Sequence, residues 1–405
     1  MSKHKIHHAN IKEWAANYEG ELFDAILCDP PYELGFMGKS WDSSGIAFDT
    51  EMWADLFKLV KPGGHLLAFS GSRTYHRMAV AIEDAGFEIR DMIEWVYGSG
   101  FPKSLNIGKA VDKIQGNERE VLGSYYGAVQ NPNSVAGGLN ASPNADENGR
   151  TTVISTKGTS PYEGYGTALK PAHEPICLAR KFLEGTVANN VLKHGTGGLN
   201  IDGTRVQSAS NDPNHRGTRG FGRSSGGHKT SYIGGEKEVQ LKEYEQHSGR
   251  FPANLIHDGS DEVEAVFPQS KDGTAGKRNA QNGDVMKTGL GATDTKWGGY
   301  GNGGSASRFF YTAKASKSER NAGLENNHPT VKPLSLTRYL ATLIKPPTGG
   351  RILVPFSGSG SEMIGALQAG WGYVEGVELT EEYIPIAEAR LAHWIDHEKS
   401  WTPQT

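Results

Sequence analysis

Asp29-Pro30-Pro31-Tyr32 sets a carboxylate beside a carbonyl whose direction two prolines restrict. Two acceptors so placed can grip both hydrogens of a planar exocyclic amine. Such a grip favours a more pyramidal nitrogen whose lone pair can attack, and Tyr32 adds a π face on which an unstacked base can lie. Alone, the segment has a lesser reading as a proline turn that ends a strand. A second segment, Pro355-Phe356-Ser357-Gly358-Ser359-Gly360-Ser361, carries glycines that let backbone approach a ligand closely. Glu378 ends the following strand, where a carboxylate accepts hydrogen bonds from ribose hydroxyls, so the pair describes a nucleoside-cofactor site. The dinucleotide fingerprint does not fit, because its third glycine would fall at Met363.

The elements that must position these segments alternate as an open α/β sheet requires. Phe23–Cys28 is a short buried strand that the prolines terminate. The spacing then predicts a helix over 51–60 stopped by Lys61-Pro62-Gly63-Gly64, a strand over 65–70, a helix over 74–85 closed by Gly86, and a strand over 88–97. Residues 98–169 are rich in Gly, Asn, Ser and Pro and predict no element. Ala172–Arg180 reads as a strand, and 186–320 offers only short apolar pieces such as Asn254-Leu255-Ile256 and Arg308-Phe309-Phe310-Tyr311. Alternation resumes with a helix over 334–344, a strand over 351–355, a helix over 362–369, a strand over 373–378 and a helix over 382–397. An α/β fold interrupted by a large insertion is the expectation.

With 53 glycines in 405 residues, part of the chain must be loop-rich. The net charge of -4 argues against a general nucleic-acid binder, but its distribution argues the other way. Arg205, Arg216, Arg219, Arg223 and Lys229 face only Asp212 between residues 205 and 229, and 271–320 holds nine basic groups against four acidic ones. Residues 362–398 hold eight acidic groups and Arg390 alone. A basic middle gains by releasing counterions from phosphates, although solvated loops would look the same. No apolar run approaches the roughly 18–20 residues of a membrane span, and the histidine-rich start, Met1–Asn10, is unlike a signal peptide, so a cytoplasmic location is expected. Cys28 and Cys177 are too few for a disulfide framework or a zinc knuckle, and no metal is expected.

Asp29-Pro30-Pro31-Tyr32, then His328-Pro329-Thr330-Val331-Lys332-Pro333, then Phe356-Ser357-Gly358-Ser359-Gly360, in that order, resembles the amino-group DNA methyltransferases. More narrowly it resembles their β arrangement, in which the catalytic motif precedes the cofactor motif, and the methylases of phages and prophages. The resemblance implies a Rossmann-like sheet that uses S-adenosylmethionine, with a loop-rich insertion as target recognition region. It divides the chain into a catalytic half over 1–110, an insertion over 111–169, a last sheet strand within 170–185, a DNA-binding recognition region over 186–320 and a cofactor half over 321–405.

The same resemblance implies the roles. Asp29 and the Pro30 carbonyl would hold the target amine, with Pro31 fixing their geometry and Tyr32 stacking on the base. Asn10, Asp29, Thr330, Lys332, Pro355, Phe356, Ser357, Gly358, Ser359, Gly360 and Glu378 would lie at the S-adenosylmethionine site. Phe36, Trp41 and Phe101 would help receive a base flipped from double-stranded DNA. The chain departs from the family pattern in three places: Val354 and Asn10 stand where Asp is usual, and Ser361-Glu362 where Thr-Thr is usual. Aspartate at the first motif position implies N6-adenine as target, with N4-cytosine as the alternative and a non-catalytic DNA-binding protein as a reading from another class. Glutamine methyltransferases have the motifs in the opposite order. The implied protein has DNA as partner, neither membrane nor metal, room for a homodimer, and the host cytoplasm as its place if phage-encoded.

Overall fold

A computed structural model describes residues 3–34, 43–100, 104–126, 152–206, 249–270, 304–313, 319, 326 and 331–396. Among the described residues, those within 1–200, 254–263 and 312–404 form one compact unit, and those within 201–253 and 264–311 form another.

The first unit is built on a mixed nine-stranded sheet. Its strands are β1 (His4–His8), β2 (Phe23–Cys28), β3 (Val60–Phe69), β4 (Glu88–Val96), β7 (His173–Arg180), β8 (Leu255–His257), β11 (Tyr311–Thr312), β12 (Arg351–Pro355) and β13 (Tyr373–Glu378). The order is β1-β13-β12-β2-β3-β7-β4-β8-β11. β7 runs antiparallel to both β3 and β4, while β1, β13, β12, β2 and β3 are mutually parallel, as are β4 and β8. Every residue of β2 is buried, as expected for a strand covered on both faces.

Helices α2 (Thr50–Leu59) and α3 (Tyr75–Asp84) carry the chain from β2 to β3 and from β3 to β4, and α8 (Ser361–Gln368) carries it from β12 to β13. From the β12–β2 pair the connections therefore diverge in opposite directions, and the carboxyl ends of these two strands border a crevice where open α/β sheets bind ligands. Asp49 caps α2 by accepting the Glu51 and Met52 amides, and the buried Trp53 indole donates to the Ala47 carbonyl at 2.9 Å. Fully buried side chains such as Trp53, Leu56, Leu66 and Leu67 each contribute roughly 1.5–3 kcal/mol by leaving water.

Most strands and helices predicted for the two ends of the chain form within a few residues of their expected limits, but β3 begins at Val60, so Lys61-Pro62-Gly63-Gly64, expected as a turn, lies inside the strand. Two further differences have physical causes. The polar His4–His8 forms an edge strand because β13 supplies a parallel partner, and α1 (Ile11–Ala16) follows it, capped by Asn10. Within 98–169, where no element was expected, α4 (Ile107–Gln115) packs beside a hairpin of β5 (Glu120–Tyr126) and β6 (Thr152–Lys157). Arg119 joins them, with ion pairs to Asp112 of α4 and to Glu163 beyond β6. Helix α5 (Val187–His194) packs on β3, where the buried Asn190 amide donates to the Pro62 and Thr196 carbonyls at 2.9 and 2.7 Å. The short α6 (Asp261–Glu264) follows β8. Among the described residues no helix is long and apolar enough to cross a membrane.

In the second unit, Val206 and Arg250 exchange backbone hydrogen bonds and β9 (Gln269–Ser270) pairs with β10 (Gly304–Ser305). The guanidinium carbons of Arg250 and Arg308 lie 4.3 and 4.5 Å from the Phe309 ring centroid, within stacking range. The charged stretches 207–248 and 271–303 lie outside the described residues.

Close packing of α7 (Leu334–Leu343) on α8 depends on Gly365, since a Cβ there would come within 2.7 Å of the Arg338 amide nitrogen. Backbone cannot yield as a flexible side chain does. Gly365→Ala should lower stability by about 1–3 kcal/mol, read as a lower urea midpoint with unchanged slope.

Candidate active site

Strand pairing delivers the two chemical segments to one place. Leu353 of β12 pairs with Ile26 of β2, so three residues further on Phe356 and Asp29 leave the sheet at the same end. Because β7 is antiparallel, its beginning, His173-Glu174, arrives at that end as well. The loops enclose a cavity of about 1420 Å³, lined by Asp29–Tyr32, Glu174, Lys332, Phe356–Ser359 and Glu378 among others.

Lys332 stands at the centre of the charged groups. Its Nζ donates to Asp29 Oδ2 at 2.6 Å and lies 3.4 Å from Glu174 Oε2. It also sits over the rings of Tyr32 and Phe69, 5.2 and 4.9 Å from their centroids. Burial alone would lower the pKa of this ammonium, but the charges of Asp29 and Glu174, with the Asp29 hydrogen bond and Glu362, reverse that and raise it above the ordinary lysine value. Lys332 is therefore a fixed cation. Tyr32 donates its hydroxyl to Glu174 Oε2 at 2.7 Å. Burial, followed by the charges of Asp29 and Glu174, pushes the Tyr32 hydroxyl well up, and burial with Glu174 does the same for Tyr97, so both stay protonated.

The arrangement leaves Asp29 asymmetric. Oδ2 is held by Lys332, whereas Oδ1 is buried and has no hydrogen-bond partner. A buried acceptor without a donor is costly, so an oxygen held open in this way is suited to an incoming N–H.

The segment after β12 is shaped rather than charged. Phe356 takes a left-handed φ of 60°, which is strained for a bulky side chain, and Gly360 follows at φ 82° as the N-cap of α8. The buried Arg390 of α9 (Ile384–Asp396) donates to the Ser359 carbonyl at 2.6 Å and to the hydroxyls of Ser359 and Ser361, which holds the loop. Burial lowers the pKa of this guanidinium to about 10. Glu378 Oε2 accepts the Gly358 amide and Oε1 the Thr380 amide, both at 2.8 Å. Each oxygen keeps acceptor capacity for a hydroxyl.

The predicted residues divide as follows. Asp29, Pro30, Pro31, Tyr32, Asn10, Lys332, Phe356, Ser357, Gly358, Ser359 and Glu378 all line the cavity. Pro355 ends β12 and Gly360 caps α8, so these two shape the loop from behind the cavity wall. Lys332, expected beside the cofactor segment, makes its closest contact with Asp29. Asn10 lines the cavity while its Oδ1 caps α1, and Val354 is fully buried in β12 away from the lining. Thr330, Phe36, Trp41 and Phe101 lie outside the described residues. Among the lining residues that carried no assigned role are Tyr97, Glu174 and Glu362. For Glu174 the available signal was an acid opening an otherwise apolar strand, Pro175-Ile176-Cys177-Leu178-Ala179, but its place depends on β7 being antiparallel.

Residues 23–389 match the family model described as DNA methylase, that of the N6- and N4-amino-group enzymes, and the chain belongs to this family. YubD of Escherichia coli (strain K12), named as a methylase, is 41% identical over 66 residues, 16% of this chain and 28% of its own, so the match spans little more than a quarter of that relative. The solved M1.HpyAVI complex with S-adenosylmethionine aligns over 96% of this chain and 98% of its own, at 14% identity and a TM-score of 0.41. TTHA0409 of Thermus thermophilus, named as a DNA modification methylase, aligns over 97% and 96% with 14% identity and a TM-score of 0.41. The PvuII DNA methyltransferase, named cytosine-N4-specific, aligns over 98% and 92% with 10% identity and a TM-score of 0.42.

The cofactor is S-adenosylmethionine, and the cavity suits it. Glu378 presents its carboxylate where ribose hydroxyls would be received, and Ser357 Oγ is buried without a partner. The lining carries the carboxylates of Asp29, Glu174, Glu362 and Glu378 against Lys332, Arg73 and Lys170, a small acidic excess that suits a cationic guest.

Replacing Lys332 by Met should leave Asp29 and Glu174, both largely buried, without their common counter-charge, at a cost of about 2–3 kcal/mol near neutral pH. Adding Asp29→Asn, which removes one of the two stranded charges, should recover part of that loss. Urea unfolding of the single and double variants near neutral pH checks this. No recovery in the double variant would assign the effect to packing of the lysine stem.

Proposed function

We propose that this member of the DNA methylase family transfers a methyl group from S-adenosylmethionine to the exocyclic N6 amine of adenine in double-stranded DNA. The observation that carries the reading is the divided Asp29 carboxylate, one oxygen anchored by Lys332 and the other buried and open. Inside a duplex an amine cannot reach that oxygen, so the base must be flipped out, at a cost of a few kcal/mol.

The flipped base lies on Tyr32, whose ring is steadied by the bond from its hydroxyl to Glu174 and by Lys332 beside it. Asp29 Oδ1 and the Pro30 carbonyl accept the two N–H groups of the amine and aim its lone pair. S-adenosylmethionine supplies, when bound, a sulfonium methyl open to in-line displacement. That sulfonium would give up its methyl to the amine and keep the electron pair of the C–S bond. Asp29 and the Pro30 carbonyl stabilise the positive charge that grows on nitrogen, and the surplus proton leaves along the hydrogen bond to Asp29. Glu378, Ser357 and the Gly358 backbone hold the nucleoside end of the cofactor. Arginine and aromatic groups of the second unit, with the basic stretches beyond the described residues, contact phosphates and base edges and make this the recognition region.

Mass spectrometry of nucleosides from unmethylated DNA treated with the protein and S-adenosylmethionine should show N6-methyladenine. N4-methylcytosine would keep the mechanism and correct the base, and no methylated nucleoside from folded protein would favour a DNA-binding role without catalysis. Asp29→Ala should reduce transfer by at least about a thousandfold while DNA binding persists, and retained activity would refute the assignment. DNA affinity should fall steeply with salt, and a flat response would remove the electrostatic role of the insertion.

A further inference from the structure

Glu362 takes no part in the chemistry above, yet it lines the same cavity as Asp29 and Glu378. It occupies the second residue of α8 and is 4% exposed, and its Oε1 is buried with no hydrogen-bond partner. A buried carboxylate open on one oxygen is costly unless a donor or a cation meets it. The charged groups around it do not supply one. Asp29, at the end of β2, repels it; Lys332, ahead of α7, and Arg390, from α9, attract it. Lys332 is engaged with Asp29, and Arg390 Nη1 is engaged with Ser359 and Ser361.

We propose that Glu362 is the acceptor for the positive charge of S-adenosylmethionine, carried on its sulfonium or on its α-ammonium. The assignment rests on the methylase reading and extends it to a residue that sets cofactor affinity. Burial, with Asp29 next, raises the Glu362 carboxyl to about 7, so in the free protein it is partly protonated near neutrality. A cation arriving beside it favours the charged form, and binding therefore expels a proton. Affinity rises with pH through this range and levels off above it.

Calorimetric titration of the full chain with S-adenosylmethionine, at about pH 5.5 and about pH 6.5 in buffers of different ionisation enthalpy, tests this. The upper value stays more than a unit below the range near 8 where the cofactor's own α-ammonium titrates. The wild type should release about 1 proton per cofactor at the lower pH and about 0.8 at the higher, and bind roughly eightfold tighter at the higher. Glu362→Gln should lose this pH dependence and bind about tenfold more weakly at the higher pH, while Glu362→Asp should keep the proton release. S-adenosylhomocysteine, which keeps the ammonium and lacks the sulfonium charge, separates the two sources. An equal loss for both ligands in Glu362→Gln assigns the ammonium, and a loss confined to S-adenosylmethionine assigns the sulfonium.

Wild-type binding without proton release, or Glu362→Gln binding as the wild type does, overturns the proposal and leaves the methylase reading standing. Absence of S-adenosylmethionine binding by folded wild-type protein would overturn that reading as well. Should Glu362→Gln fail to fold by circular dichroism, the proton release of the wild type decides alone.

Discussion

The ion pair between Lys332 and Asp29 is the interaction around which the site is arranged. A lysine 7% exposed keeps its charge only because Asp29 and Glu174 lie against it. Glu174 in turn holds the Tyr32 hydroxyl, so one cation fixes the direction of a carboxylate and, through a second carboxylate, the setting of an aromatic ring. Buried pairs of this kind add little net stability, because desolvation consumes most of the attraction. What they supply is geometry. Without Lys332 the Asp29 side chain would have no reason to present one oxygen rather than two.

That geometry requires three parts of the chain to end at one side of the sheet. β2 and β12 are parallel neighbours whose connections leave in opposite directions, and the crevice between their carboxyl ends receives both the acceptor segment and the glycine turn. β7 is the exception in direction, and the exception is what brings Glu174 to that side by its first residues rather than its last. Arg390 and Glu378 then hold the glycine turn from behind by hydrogen bonds to its backbone.

Much of this was legible in the residues. Strands such as Phe23–Cys28, Arg351–Pro355 and Tyr373–Glu378 are short apolar runs closed by prolines or a charged residue, and their limits are observed where the spacing puts them. Asp29 and Glu378 could be named because each is an acid at the end of such a run. Glu174 could not, because nothing local distinguishes an antiparallel strand, and an acid at the start of a parallel strand would face the other end of the sheet. β1 escaped for a related reason: four polar residues around Ile6 become a strand only when β13 is beside them. Glu362 was visible as a departure from the family pattern, but its burial follows from the packing of α8 under α7 and next to Arg390, which no local spacing encodes. The pairing of β5 with β6 is flanked by Arg119, which reaches Asp112 before it and Glu163 after it, again a contact between distant positions.

The strand order also constrains how the protein can be made. Asp29 is synthesised 303 residues before the lysine that orients it, and β2 lies between β3, which follows it closely, and β12, which begins only at Arg351. Until then one edge of a wholly buried strand has no partner, and β1 waits longer still for β13. Contacts so distant in sequence close slowly, and an unpaired apolar edge invites pairing with other chains. A nascent chain therefore carries Asp29 without its counter-ion, and β2 without its second neighbour, until residues 332 to 355 have followed.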